Sequence, residues 1–187
     1  QEFGQQKNAL VLDMIDEMLS KQVDGIVYVG CHSHNIAHLS MQKGTKFVCA
    51  YCFSEDSDIP AVIYDDRGAA YKVGEMLVAR GHRKIGVIAG DKDSFHTTNR
   101  LLGFQEALFD HDVPYNPRMT HYGEWNRDHG YEIVPKLIAE DATAIFAHND
   151  LIATGVYDYC NQNGIEIGKD LSLIGFDDRE IASVCRP

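Results

Sequence analysis

Four side chains suited to binding a polar small molecule are spread over the second half of the chain. They are the guanidinium of Arg100, the indole of Trp125, the amide of Asn149 and the carboxylate of Asp177. An aromatic ring can cover the apolar face of a sugar, while the three polar groups pair with its hydroxyls. These residue types therefore predict a site for a small polyhydroxylated ligand.

Two further clusters have the spacing of metal or redox sites. His34 and His38 lie four residues apart, as zinc ligands on a helix can, but no further ligand is fixed nearby, so no metal site is expected. Cys49 and Cys52 fall in a predicted strand. Residues three apart in a strand point to opposite faces and lie about 10 Å apart, too far for a disulfide. We therefore expect buried, unpaired cysteines there.

Alternating strands and helices position the four ligand-binding candidates. Strands are predicted over residues 25–30, 46–51, 59–64, 84–89, 119–122, 143–147 and 171–175, and helices over 8–22, 33–43, 67–80, 97–110, 127–140 and 149–163. This alternation predicts an α/β fold of parallel sheets with helices on both faces. The candidates then lie beyond the carboxyl ends of strands, where open α/β sheets bind ligands.

The sequence also predicts two helix caps, the effect of one proline and the boundary between the lobes. Asp65 and Asp150 are expected to cap the helices that follow them. Pro135 is expected to bend or break its helix, because it has no backbone N–H to donate. One β-α series ends near Gly81-His82 and a second, more complete one begins there, so the predicted lobes are residues 1–81 and 82–187.

The overall charge limits the partners of the chain. Its 187 residues include 17 Lys and Arg and 28 Asp and Glu, which gives a net charge of −11 at pH 7. Nucleic-acid binding needs clustered basic side chains, so we expect the chain by itself to bind DNA poorly. The sequence shows no signal-peptide pattern and no membrane-length apolar run, and its five scattered cysteines fit a reducing compartment. A cytoplasmic location is expected.

Four sequence motifs follow one another from the middle of the chain onward. They are Gly81–Gly90, Arg100–Phe104, Thr143–Gly155 and Gly164–Asp178. In this order and spacing they closely resemble the effector-binding core of lactose/galactose-repressor-type (LacI/GalR) transcription regulators. The resemblance implies a two-lobed, periplasmic-binding-protein-like fold. It also implies that the DNA-binding headpiece is absent and that both lobes are partial, the N-terminal lobe being incomplete.

The resemblance also assigns residues to an effector site. The residues that would contact the effector are Arg100, Trp125, Asn149 and Asp177. Ser94 and His96 would line the pocket from the loop before Arg100. Neither a cofactor nor a metal is implied. The expected partners are a sugar, sugar derivative or nucleobase, a second copy of the chain, and operator DNA through the absent headpiece alone.

The predicted function is effector sensing in a transcriptional regulator, where a ligand between the lobes shifts their closure and so the affinity for DNA. A homodimer is expected, with Ile36, Leu39 and Met41 as apolar residues near a lobe surface. The alternative is a periplasmic sugar-binding protein of a transporter, which has the same fold. An enzyme is not expected, because the sequence has no Gly-rich phosphate loop and no nucleophile elbow.

Overall fold

The structure is a computed structural model that describes residues 2–30, 35–36, 46–54 and 58–185, with side chains from Leu10 onward. Of the helix predicted over residues 33–43, only Asn35 and Ile36 are described, and Asn35 forms a parallel β-bridge with Phe53 there. The pair His34 and His38 lies outside the described residues, as do Leu39 and Met41. The chain forms two compact units, Gln1–Tyr64 and Asp65–Pro187.

From Asp66 onward helices and strands alternate within a few residues of their predicted positions, whereas three strands follow one another in the described part before it and the first helix begins at Glu2 instead of residue 8. The helices are α1 (Glu2–Ser20), α2 (Asp66–Ala79), α3 (Phe95–Asp110), α4 (Arg127–Ala139) and α5 (Asp150–Asn163). The strands are β1 (Ile26–Val29), β2 (Phe47–Ala50), β3 (Ala61–Val62), β4 (Ile85–Ala89), β5 (Thr120–Tyr122), β6 (Ala144–Ala147) and β7 (Ser172–Ile174). Across the described part of the chain, none of the helices has the length and apolarity of a membrane span.

The first unit contains a parallel sheet with strand order β1-β2-β3. Ile15 of α1 packs with Ile26 and Phe47 in the core of this unit. The alternate side chains, such as Val27 and Val48, are exposed. Within the described residues, helix packing is therefore seen on one face of this sheet.

The second unit has the expected architecture in full. Its parallel sheet has strand order β5-β4-β6-β7, and β4 and β6 at its centre are buried along their whole length. Helices α2 and α3 cover one face around Phe104 and Phe146, and α4 and α5 cover the other around Ile145 and Ile152. All carboxyl ends of the strands meet at one edge, which positions the loops that follow them.

The two units divide before α2, whereas the sequence places the lobe junction after residue 81. The reason is that α2 packs against α3 of the second unit. A Cβ on Gly74 would lie 2.5 Å from the Cβ of Ala107, and one on Gly103 would overlap the carbonyl oxygen of Arg67. The sequence marks the end of a β-α series, but it does not show which unit its last helix packs on.

Pro135 is expected to bend or break helix α4, and the structure shows that α4 continues through it without a break. Pro135 is exposed. The proline ring therefore lies on the solvent side of α4, while Ile133, Val134 and Leu137 of the same helix are buried. Ile36 also departs from its expected role, because it is 1% exposed in the core of the first unit and offers no surface to a dimer partner.

Cys49 and Cys52 share one core in the first unit instead of pointing to opposite faces. Tyr51 has a φ of 60°, which ends the extended backbone between Cys49 and Cys52 and turns both inward. Burial, together with the charge of Cys52 and a hydrogen bond to its thiol, raises the pKa of Cys49 to about 11. The predicted separation is therefore wrong, while the prediction that both are buried, free thiols is confirmed.

Candidate functional site

Arg100 is the centre of a buried polar cluster in the second unit. It lies in the second turn of α3 and is 4% exposed. Its Nε donates to Asp66 at 2.8 Å, its Nη2 donates to Asp177 at 3.1 Å, and its Nη1 donates to the backbone carbonyl of His148. Three elements that are distant in sequence are thus joined at one guanidinium.

Two aromatic rings flank the same guanidinium. Its central carbon lies 3.7 Å from the ring centroid of Phe176 and 5.7 Å from that of Trp125. Trp125 is half-buried and packs against Gly90 at the end of β4, where a Cβ would overlap the indole. The close approach therefore requires glycine at this position. The arginine and the tryptophan predicted to bind a ligand are neighbours.

Asp66 belongs to this cluster, and the sequence analysis missed it. Its carboxylate accepts a hydrogen bond from His96 Nδ1 at 2.6 Å in addition to the one from Arg100. Burial acts to raise the pKa of Asp66, but the hydrogen bonds and charges of His96 and Arg100 outweigh burial and lower it. An ionised Asp66 therefore balances the buried guanidinium. The sequence signal for Asp66 was its position as an acidic residue in the first turn of a helix. Such a residue is ordinarily explained by its favourable interaction with the helix dipole, and not by a buried ion pair.

His148 is a second buried residue that the sequence analysis did not single out. It follows β6, is fully buried, and its ring centroid lies 4.9 Å from that of Phe146. Neither ring nitrogen has a hydrogen-bond partner among the described residues. Burial, reinforced by the charge of Arg100 and opposed by that of Asp66, lowers the pKa of His148 to about 3. The imidazole is therefore neutral at physiological pH.

Asn149 caps helix α5, in place of the expected Asp150. Its Oδ1 accepts from the backbone N–H of Ile152 at 2.8 Å, and its Nδ2 lies 3.4 Å from the carbonyl oxygen of Trp125. The reason is the backbone: Asn149 is extended, whereas Asp150 is already helical. The carboxylate of Asp150 instead accepts from the backbone N–H of Arg179 at 2.7 Å.

The other residues singled out in the sequence, Asp65, Ser94 and His96, lie at the starts of helices α2 and α3. Asp65 caps α2, because its carboxylate accepts from the backbone N–H of Gly68 at 2.9 Å. Ser94 occupies the cap position of α3, but its hydroxyl makes no capping hydrogen bond. His96 is 3% exposed and contacts Asp66. Ser94 thus flanks the cluster, and His96 lies inside it.

The cluster can bind hydroxyls, and its described residues show no metal centre. Arg100 links directly to Asp177 and Trp125, and Asn149 contacts the backbone of Trp125. Charged and amide groups next to an indole suit a polar ring-shaped ligand. Within residues 10–30, 35–36, 46–54 and 58–185, no group of three or more His, Cys, Asp or Glu side chains is placed to hold a metal ion.

Comparison with known proteins identifies the class to which this architecture belongs. Residues 75–187 match the family described as periplasmic binding protein-like domain. The chain belongs to that family, and it corresponds to the effector-binding core of LacI-family regulators, as the motifs imply.

The individual relatives are transcription regulators. Catabolite control protein A of Priestia megaterium is 30% identical over 183 residues, which are 94% of this chain and 54% of that protein. A crystal structure of a LacI-family regulatory protein from Chloroflexus aggregans has a TM-score of 0.82 and 28% identity, covering 92% of this chain and 63% of that one. A complex of the transcriptional regulator CelR with cellobiose has a TM-score of 0.71 and 26% identity, covering 92% and 55%. The chain spans about half the length of the curated relatives it matches.

Proposed function

We propose that this chain is the effector-sensing domain of a DNA-binding transcription regulator, and that its effector is a sugar-like molecule. The effector binds at the carboxyl edge of the sheet in the Asp65–Pro187 unit. The observation that carries this proposal is the guanidinium of Arg100, which is held next to the Trp125 ring and hydrogen-bonded to Asp177.

The hydrogen-bonding capacity of this cluster supports a hydroxylated ligand. Each of the three nitrogens of Arg100 donates one hydrogen bond within the protein, and a guanidinium has five N–H groups. Donors therefore remain on Nη1 and Nη2. Asp177, whose side chain is 33% exposed, keeps acceptor positions for ligand hydroxyls. The cellobiose complex of a relative with the same fold agrees with this class of ligand.

Signalling from this site requires a difference in affinity between two states of the protein. An effector that binds one arrangement more tightly shifts the population towards it, and DNA affinity shifts with it. The net charge of −11 makes this chain unsuited to contact DNA, so we assign operator binding to a separate headpiece. We also infer a homodimer that acts in the cytoplasm, where a transcription regulator meets its DNA.

The relatives favour this function over the alternatives. They are regulators of transcription, which argues against a transporter's periplasmic sugar-binding protein and against an enzyme.

A thermal-shift screen of sugars, sugar acids and purines tests the proposal. A ligand present at a hundred times its Kd adds about 2.7 kcal/mol to the stability of the folded chain, which a melting curve resolves. The stabilisation is expected to be smaller in Asp177→Asn and unchanged in Asp178→Asn, its sequence neighbour. A panel that stabilises none of the proteins, or a hit that stabilises Asp177→Asn as much as the native chain, would contradict the proposed site.

A further inference from the structure

The solvent side of helices α2 and α3 carries an apolar groove that the effector site does not use. Phe109 is 82% exposed and Leu102 is 41% exposed, and the two are seven residues apart on one face of α3. Together with Tyr71 of α2 they line a groove of about 490 Å³. Exposed aromatic and aliphatic side chains grouped in this way mark interaction surfaces.

Carboxylates surround this α2–α3 groove. Asp110 accepts a hydrogen bond from the Tyr71 hydroxyl at 2.9 Å, and Glu106, also in the lining, pairs with Arg67. The hydrogen bond to Asp110, then burial, then the charges of Asp110, Glu75 and Glu106 raise the pKa of Tyr71. The groove is therefore apolar between Phe109 and Leu102 and negative at its rim.

The groove is separate from the effector site. His96 and Arg100 lie in the first two turns of α3, whereas Phe109 and Asp110 end the same helix. A second copy of the chain docking the same face symmetrically would oppose carboxylates to carboxylates, in a chain that already carries a net charge of −11. The charge of the rim favours a basic partner.

We propose that the α2–α3 groove docks a basic amphipathic helix of a partner protein. An apolar side chain of the partner lies between Phe109 and Leu102, and flanking Lys or Arg side chains pair with Glu75 and Asp110. Helices bind grooves in this way through a few apolar anchors on one face, and the surrounding charges set orientation and association rate.

The test uses a fluorescein-labelled synthetic peptide of Leu and Lys residues arranged as an amphipathic helix, titrated with the full chain and followed by fluorescence anisotropy. Phe109→Ala is expected to weaken binding roughly tenfold, because it removes the aromatic wall. Glu75→Gln is expected to weaken binding about two- to fivefold and to reduce its dependence on salt. Ile138→Ala, at an apolar residue 37% exposed on α4, is the matched control and leaves binding unchanged.

Three results would overturn the proposal. The first is an equal loss of peptide binding in Phe109→Ala and Ile138→Ala, and the second is equal binding of a peptide in which Glu replaces every Lys. The third is a change in the sedimentation coefficient of the chain alone on Phe109→Ala, which would assign the groove to contact between copies of this chain. Unchanged melting temperatures in all three variants are the check that folding is intact.

Discussion

Asp177 accepts a hydrogen bond from Arg100 at 3.1 Å, so that two residues we assign to the effector also bind each other. The pair is asymmetric, because the arginine side chain is 4% exposed and that of the aspartate is 33% exposed. Arg100 is fixed by Asp66 beneath it, while Asp177 stands at the surface of the cluster. An effector hydroxyl can therefore join the pair without the guanidinium having to move.

Replacing Asp177 with asparagine separates the binding role from a structural one. Asp177 has a φ of 94°, and asparagine tolerates positive φ as well as aspartate does. Loss of the charge-assisted bond is expected to lower effector affinity roughly ten- to hundredfold, with little change in the melting temperature of the ligand-free chain. Calorimetric titration with a ligand from the thermal-shift screen measures the first quantity. If affinity is unchanged, or the ligand-free chain melts far earlier, Asp177 is not a binding residue.

Removing the charge of Asp66 is expected to destabilise the second unit strongly. Asp66→Asn leaves the guanidinium of Arg100 buried without its balancing carboxylate, and breaking a buried ion pair costs about 3–5 kcal/mol. Asp65→Asn is the matched control, because asparagine caps a helix as well as aspartate does. Urea unfolding of both variants measures the difference. Similar unfolding free energies for the two would mean that the buried pair does not stabilise the fold.

Asn149 combines a helix cap with a proposed ligand contact, and two substitutions separate them. Asn149→Ser keeps a capping oxygen but removes the amide donor, so stability is expected to stay within about 0.5 kcal/mol while effector affinity falls by up to about tenfold. Asn149→Ala removes both and is expected to cost about 1 kcal/mol as well. Melting curves and titrations of the two variants are the measurement. Native affinity in Asn149→Ser would restrict Asn149 to capping.

The buried imidazole of His148 predicts how stability depends on pH. In the unfolded chain, His148 becomes protonated as the pH falls below 6.5, the ordinary pKa of histidine. In the folded chain, it becomes protonated only near pH 3, because burial lowers its pKa to about 3. Stability therefore falls as the pH drops through this window, by about 2 kcal/mol at pH 5 from this residue. His148→Leu is expected to remove that part of the loss, and His111→Gln, at an exposed imidazole, to keep it. Parallel pH profiles for the native chain and His148→Leu would contradict the assignment.

The sequence predicts the fold well because its signals are local. Strand β6 reads as a short apolar run, and Asn149, Gly164 and Asp177 mark the ends of elements, so the carboxyl edge and the residues on it can be placed without coordinates. Asp66 and His148 could not be found in the same way. Their roles come from tertiary contacts with Arg100, which lies 34 residues from Asp66 and 48 from His148 along the chain.

The differences between the predictions and the structure have the same origin. The face on which Cys52 lies depends on the left-handed backbone of Tyr51, which an aromatic residue rarely adopts and which no local signal announces. The unit to which α2 belongs depends on its close packing against Gly103. Asn149 and Asp150 are both residue types that cap helices well, so the sequence cannot distinguish them. In the structure Asn149 is the cap of α5, because its backbone is extended and that of Asp150 is helical.

The central claim is that a sugar-like effector binds beside Arg100 and Trp125, and the fluorescence of Trp125 tests it most directly. Trp125 is the only tryptophan in the sequence, so its emission reports on this site alone. Titration with a panel of mono- and disaccharides that includes cellobiose is predicted to give a saturable change in emission for at least one sugar, and a curve shifted to higher concentration in Asp177→Asn. A flat response to every sugar, or superimposable curves for the native chain and Asp177→Asn, would contradict the account.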